Sequence, residues 1–480
     1  MIGREFETHI MQKLLNSDKA ELLAILGRRR VGKTYLIKQV YAGNMVFDFT
    51  GTQYAEKENQ LEKFAIKLTE YSKGKITAQT PASWAAAFTQ LKQYLLGLPK
   101  MKQNKVVFFD ELPWIAAHKS SFLQEFSYWW NDWASTEKLV VVICGSAASW
   151  MIQKVINHKG GLHNRVTKRI HLQPFTLYET KEYLLSKKIN LQHYEIIQIY
   201  MAVGGVPHYL NEIIPGESAI QTINRLCLAK SGSLRQEFGN LYAALFDHPE
   251  NHVAVIKALS QKHSGMTRQE IIAATKFTDG GGLSKVLEEL ETSNFIMQML
   301  PFGKIKKDTV YRMADEYSLF YLKFIEGQRA GTNTSVFTNI ADEKYKIWRG
   351  YAFENICIKH ADAIKQALGI SGINTFINSF AQKADKNNSG LQIDMLIDRA
   401  DNTINICEIK FYNDTIEPNL EMADMLRKRR ELFRRLSGTK KQLFNTIIST
   451  YGVSNNEFAL SQVDSSVTMD ALFSLQRFLV

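Results

Sequence analysis

Two groups of residues in this chain have types and spacings that could do chemistry. The first starts at Gly27-Arg28-Arg29-Arg30-Val31-Gly32-Lys33-Thr34, the spacing of a phosphate-binding loop. Glycines at both ends let the backbone curl until its N–H groups point at phosphate oxygens. A helix beginning there adds the positive end of its dipole. In such a loop Lys33 bridges the β- and γ-phosphates of a nucleotide, and the Thr34 hydroxyl ligates Mg²⁺. Further on, Lys105-Val106-Val107-Phe108-Phe109 runs into Asp110-Glu111. Asp110 can hold the metal through water, and Glu111 can orient and activate the attacking water. A third apolar run, Leu139 to Cys144, ends at Gly145-Ser146. Ser146 is either a water or phosphate sensor there or a plain turn serine. Arg165 is a cation for the γ-phosphate, in cis or in a neighbouring subunit, or part of a solvated basic loop. Lys33 and Thr34 are expected to meet Asp110 and Glu111 where two neighbouring strands finish.

The second group lies near the C-terminus. Asp394 falls in the run Leu391 to Ile397, and Glu408 and Lys410 fall in Thr403 to Lys410, with a turn at Asp401-Asn402 between them. Strand alternation sets Asp394, Glu408 and Lys410 on one face of a hairpin. Glu354 sits on a preceding amphipathic helix. Glu354, Asp394 and Glu408 are candidate Mg²⁺ ligands, and Lys410 would position water or offset charge, as a phosphodiesterase requires. The basic stretch Met425 to Leu436 has Leu426, Phe433 and Leu436 as its apolar side, and its cations suit a phosphate backbone or a solvated face.

Elements must position these groups. Glu21 to Leu26 reads as a buried strand feeding the phosphate loop, with a helix after it. Phe175 to Pro215 has helical periodicity, with Gly204-Gly205-Val206-Pro207 joining two helices. The ring of Pro207 could pack on adenine, although a plain interhelical turn fits as well. Residues 250–315 read as three helices and a strand pair whose loop carries Gly303, Lys304, Lys306 and Lys307, an order that resembles a winged helix. Thr267 should cap the second helix. Glu288, Glu289 and Glu291 on the third helix oppose direct DNA reading, so interdomain packing is the alternative.

The chain's Ile2-Gly3-Arg4-Glu5, its phosphate loop, Phe108 to Glu111, Gly145-Ser146 and Gly204 to Pro207 together resemble the archaeal-type ATPase family of the AAA+/STAND group. That resemblance covers roughly the first 230 residues and implies ATP rather than GTP. It implies that Gly3 and Arg4 line the adenine pocket, that Gly205 and Pro207 belong to a helical lid, and that Gly27 through Tyr35 contact the nucleotide. Asp394…Glu408-Ile409-Lys410 with Glu354 resembles the PD-(D/E)XK nuclease superfamily and the C-terminal domain often attached to archaeal-type ATPases. Gln392 stands where that domain often carries an acid.

Composition sets the limits. The 480 residues exceed one ordinary core, and 45% hydrophobic with 22% charged residues excludes a disordered chain, a fibre and a small disulfide scaffold. A net charge of +11 permits a polyanion partner. The four cysteines form no CxxC and read as free thiols of a reducing compartment. No apolar run is long enough to span a bilayer, and no signal peptide pattern opens the chain, so a cytoplasmic protein is expected. The resulting expectation is a multidomain α/β protein. It has a P-loop ATPase core with a parallel sheet at 1–172, a helical lid at 173–245, a winged helix at 246–326 and a restriction-endonuclease-like α/β domain at 340–480. ATP and Mg²⁺ are the expected cofactors, DNA or another nucleic acid the expected partner, with self-association allowed. The leading function is nucleotide-coupled binding or Mg²⁺-dependent cleavage of nucleic acid. The rival is a regulatory ATPase switch with an inactive C-terminal domain, and a weaker third reading is a DNA-stimulated transposition or partition helper.

Overall fold

The structure, a computed structural model, describes residues 2–75, 79–116, 120–157, 162, 164–327, 343–384 and 389–475. The linker expected from Gly327 to Asn339 lies, beyond Gly327, outside the described residues. The chain divides into two units, Met1–Gln173 and Pro174–Val480.

The first unit is built on a parallel sheet of β1 (Glu21–Leu26), β2 (Met45–Thr50), β3 (Lys105–Asp110), β4 (Leu139–Gly145) and β5 (Lys168–His171), in the order β2-β3-β4-β1-β5. Continuous apolar runs suit strands covered on both faces, and successive side chains divide between those faces. Leu22, Ala24, Val107 and Phe109 join an aromatic core with Phe64, Trp84, Phe122 and Trp129. Leu23, Ile25, Val106 and Phe108 join an aliphatic core with Leu14, Leu36 and Ile37. One expectation is corrected here. The strands bearing the phosphate loop and the acidic pair are not neighbours, because β4 is hydrogen-bonded between them. Parallel strands need crossover connections, so chain order does not dictate strand order.

In the second unit, helices Leu177–Ser186 and His193–Val203 follow the expected periodicity, with Ile196, Ile197, Tyr200 and Met201 all buried. Helices Pro249–Ser260, Arg268–Ala274 and Gly281–Thr292 accompany a small antiparallel sheet of β6 (Met266–Thr267), β7 (Ile296–Met299) and β8 (Val310–Met313). Thr267 caps the second of these helices in a reciprocal capping box with Glu270. The chain after β7 is pinned to a second sheet: Phe302 donates its N–H to Ser379 at 2.7 Å, and Asn378 donates to the Leu300 carbonyl at 2.8 Å. Lys304, Lys306 and Lys307 stay exposed at the tip.

That second sheet holds β9 (Thr375–Gln382), β10 (Leu391–Arg399), β11 (Thr403–Lys410), β12 (Gln442–Ser449) and β13 (Ser465–Thr468), in the order β13-β12-β11-β10-β9. β9, β10 and β11 are antiparallel, and β12 and β13 continue parallel to β11. The β10–β11 turn places Asn402 at φ +63°, a conformation asparagine tolerates. Helix Glu343–Lys359 packs Phe353 and Ile356 in the core that takes Met395 and Cys407 from one face of the sheet. Phe433, from helix Leu420–Ser437, packs with Ile393 and Ile406 from the other. Among the described residues no helix is long and apolar enough to cross a membrane, and all four cysteines are buried.

Candidate functional site

In the first unit the loop after β1 turns on two glycines. Gly27 has φ +144°, and a Cβ there would lie 2.4 Å from the Leu172 carbonyl oxygen. Gly32 has φ +90° directly before helix Lys33–Val40. Both positions therefore exclude a side chain at low cost. Lys33 is buried and donates to the Gly27 carbonyl at 2.7 Å and the Arg28 carbonyl at 3.0 Å. Its ammonium is thus held over the loop's own backbone, the ground a phosphate would claim.

A hydrogen-bonded chain links three strand ends beside it. Thr34 Oγ1 donates to Asp110 Oδ2 at 2.8 Å. Asp110 Oδ1 accepts the Glu111 N–H at 3.0 Å. Glu111 Oε2 accepts from the Ser146 backbone N–H at 3.0 Å and from Ser146 Oγ at 2.8 Å. Glu111 itself sits at φ +48°, strained for a residue with a side chain. The structure thus brings Lys33, Thr34, Asp110, Glu111 and Ser146 together at one edge of the sheet. Burial raises the nearby Cys144 thiol well above its ordinary range, with Asp110 adding to the effect, so it stays a neutral filler.

The remaining expected nucleotide contacts distribute unevenly. Arg4 is buried and donates to the Gln173 carbonyl at 2.7 Å and the Val31 carbonyl at 3.4 Å, so it braces the loop. Gly3 takes φ +65° and donates its N–H to Glu5. Arg28 and Val31 are buried. Arg29 lies over the Trp114 ring at 5.8 Å, Arg30 has φ +69°, and Tyr35 is exposed. Pro207 belongs to the second unit, where it starts helix Pro207–Leu210. Arg165 is exposed, two residues before Thr167, whose N–H meets the Leu22 carbonyl. That is the entry end of β1, about 17 Å of strand from the phosphate loop. Arg165 thus lies at the end of the sheet away from the cradle.

In the second unit β10 and β11 pair Met395 with Cys407, the neighbours of Asp394 and Glu408 in sequence. A β-bulge between Ile393 and Leu396 re-aims this stretch of β10. Glu354, Gln392, Asp394, Glu408, Lys410 and Arg429 line a cavity of about 210 Å³. Gln392 Nε2 donates to Asp394 Oδ1 at 3.0 Å, and Lys410 Nζ lies 2.9 Å from Glu408 Oε1. Arg429 pairs with Glu408 Oε2 and also donates to the Gln392 carbonyl at 3.2 Å. Burial, with Asp394 adding to it, pushes the Glu354 carboxyl up to about 7. Arg312 of β8, only 2% exposed, comes within 3.9 Å of Glu354.

Among the described residues no group of three or more His, Cys, Asp or Glu is arranged to hold a metal ion. The expected ligands Glu354, Asp394 and Glu408 nonetheless line one cavity, where Lys410 and Arg429 engage Glu408 and Arg312 stands near Glu354. Arg429 as a lining residue, and Arg312 beside Glu354, were not foreseen. The Arg427 to Arg430 run signalled positive charge but not the inward turn of Arg429, and Arg430 likewise turns to Asp464 at 3.5 Å.

Residues 1–213 match the family described as an ATPase domain predominantly from Archaea. An uncharacterized protein of Methanocaldococcus jannaschii is 25% identical over 368 residues, spanning 74% of this chain and 76% of its own length. Among solved structures, the Walker-type ATPase of Pyrococcus abyssi aligns with a TM-score of 0.51 at 18% identity, over 67% of this chain and 96% of its own, a likeness of fold. The N-terminal part of this chain is thus an ATPase domain.

Proposed function

We propose that the chain hydrolyses ATP with Mg²⁺ and that its nucleotide state governs the grip of its second unit on a nucleic acid. The hydrogen-bonded chain from Thr34 through Asp110 and Glu111 to Ser146, beside Lys33, carries the first half of this reading. Thr34 and Asp110 are already paired, the donor set for Mg²⁺, which supplies charge neutralisation on the phosphates when bound. Lys33 would exchange its two carbonyl partners for β- and γ-phosphate oxygens. Glu111 would leave Ser146 to accept the proton of the attacking water. Adenine rather than guanine follows from the family resemblance, with Gly3 and Arg4 as its candidate neighbours. Arg165, exposed at the entry end of β1, serves either the site of a neighbouring copy in a homo-oligomer or a solvated basic loop.

Three features support the nucleic-acid half. The net charge is +11. Lys304, Lys306 and Lys307 are exposed at the tip of a unit read as a winged helix over 246–326. Arg427, Lys428, Arg434 and Arg435 are exposed on a helix of a domain, 340–480, read as PD-(D/E)XK-like. The engagement of Glu408 by Arg429 favours binding over cutting, the regulatory reading of that domain. ATP turnover of the full chain, measured with and without DNA, tests the proposal. DNA-stimulated hydrolysis is expected, and a chain with no ATP turnover in either condition contradicts it.

A further inference from the structure

The carboxylate pocket of the second sheet is balanced by the protein's own cations. Lys410 and Arg429 share Glu408, and Arg312 stands by Glu354. Arg429 arrives from helix Leu420–Ser437, is 14% exposed, and is held a second time by the Gln392 carbonyl. Burial pulls the Arg429 pKa down, against the opposing charges of Asp394 and Glu354. Arg312 is buried, with its Nε and Nη1 unpaired in the interior. A guanidinium does not lose its proton at any ordinary pH, so neither arginine can vacate its charge to admit a metal. A divalent ion entering between Asp394 and Glu408 would have to displace Arg429 and then sit beside Lys410, and like charges in a confined site repel strongly.

We propose that Arg429 is the resident cation of this pocket, so that the site takes no divalent metal and instead offers Lys410 and Arg429 to a phosphodiester group of a nucleic-acid strand. This rests on the nucleic-acid reading above for its ligand, but not for its statement about metal. Three carboxylates with one lysine would leave a negative site that draws in Mg²⁺. With Arg429 on Glu408 and Arg312 beside Glu354, three cations offset the three carboxylates and no net negative charge is left to draw in a divalent ion, while Lys410, more exposed than Arg429, is the cation a phosphodiester oxygen would meet.

Mn²⁺ binding to the full chain without nucleotide, followed by electron paramagnetic resonance, tests the metal statement. Wild type and Asp394→Asn are expected to bind Mn²⁺ alike. Arg429→Gln is expected to gain a site about ten-fold tighter than anything wild type shows there, lost again in Arg429→Gln/Asp394→Asn. A wild-type Mn²⁺ site that Asp394→Asn removes overturns the proposal, and this comparison needs no change at Arg429. Fluorescence anisotropy of labelled single-stranded and duplex oligonucleotides tests the ligand. Affinity in EDTA is expected to equal that in Mg²⁺ and to fall about ten-fold in Lys410→Ala. Binding that requires Mg²⁺ and Asp394 overturns it. Absence of oligonucleotide binding in every buffer removes the nucleic-acid ligand, while the Mn²⁺ comparison still decides the resident cation.

Discussion

Ser146 donates two hydrogen bonds to a single oxygen of Glu111, from its backbone N–H at 3.0 Å and from its hydroxyl at 2.8 Å. The end of β4 thus holds the residue proposed to activate water at the end of β3. Glu111→Gln keeps the shape of the side chain but not its basicity. ATP binding, followed with a fluorescent analogue, should stay near wild type, while kcat should fall about 10²–10⁴-fold. A kcat within a few-fold of wild type excludes Glu111 as the base.

Lys33 and Thr34 are proposed to act on the phosphates and on the metal respectively. Lys33→Ala should abolish hydrolysis, because it removes the ammonium held over the Gly27 and Arg28 carbonyls. Thr34→Ala removes the hydroxyl that meets Asp110 and should raise the Mg²⁺ concentration needed for half-maximal turnover about ten-fold or more. An unchanged Mg²⁺ requirement excludes Thr34 from the metal site.

Gly27 is excluded from substitution by contact as well as by conformation. A Cβ would meet the Leu172 carbonyl at 2.4 Å, and φ is +144°. Gly27→Ala should lower the stability of the first unit by about 1–3 kcal/mol, read as a fall in its thermal midpoint. No fall would mean that the loop relaxes freely at β5.

Arg165 stands at the end of the sheet away from the loop. Turnover per chain should rise with protein concentration in wild type and lose that rise in Arg165→Ala, with ATP affinity retained. Turnover that is independent of concentration and insensitive to the substitution denies Arg165 a role in a neighbour's site.

His360 is buried, accepts the Leu177 N–H at its Nε2 at 3.0 Å, and places its Nδ1 2.8 Å from the Ile356 carbonyl. Burial pulls its pKa down from 6.5 to about 4. The unfolded chain therefore binds the proton first, so this contribution is whole above pH 6.5 and is lost as pH falls towards 4, on the order of 3 kcal/mol. Amide-exchange protection at Leu177, corrected for the intrinsic rate, should fall across that window. In His360→Gln the pH dependence should flatten.

What was legible in the sequence was local. The Gly27 to Thr34 spacing, the alternation that divides Val106 from Val107, the Thr267 cap and the Asp401-Asn402 turn each depend on residues a few positions apart, where covalent geometry and side-chain period leave little choice. That Asp394 and Glu408 line one cavity was legible for the same reason, since a short hairpin turn brings the two strands together. Only the tertiary structure decided that β4 separates β1 from β3, which end of the sheet Arg165 occupies, that the segment after β7 lies along β9, and that Arg429 turns inward to Glu408. These follow from packing between segments distant along the chain, where burial and charge pairing choose among arrangements that spacing alone leaves equal.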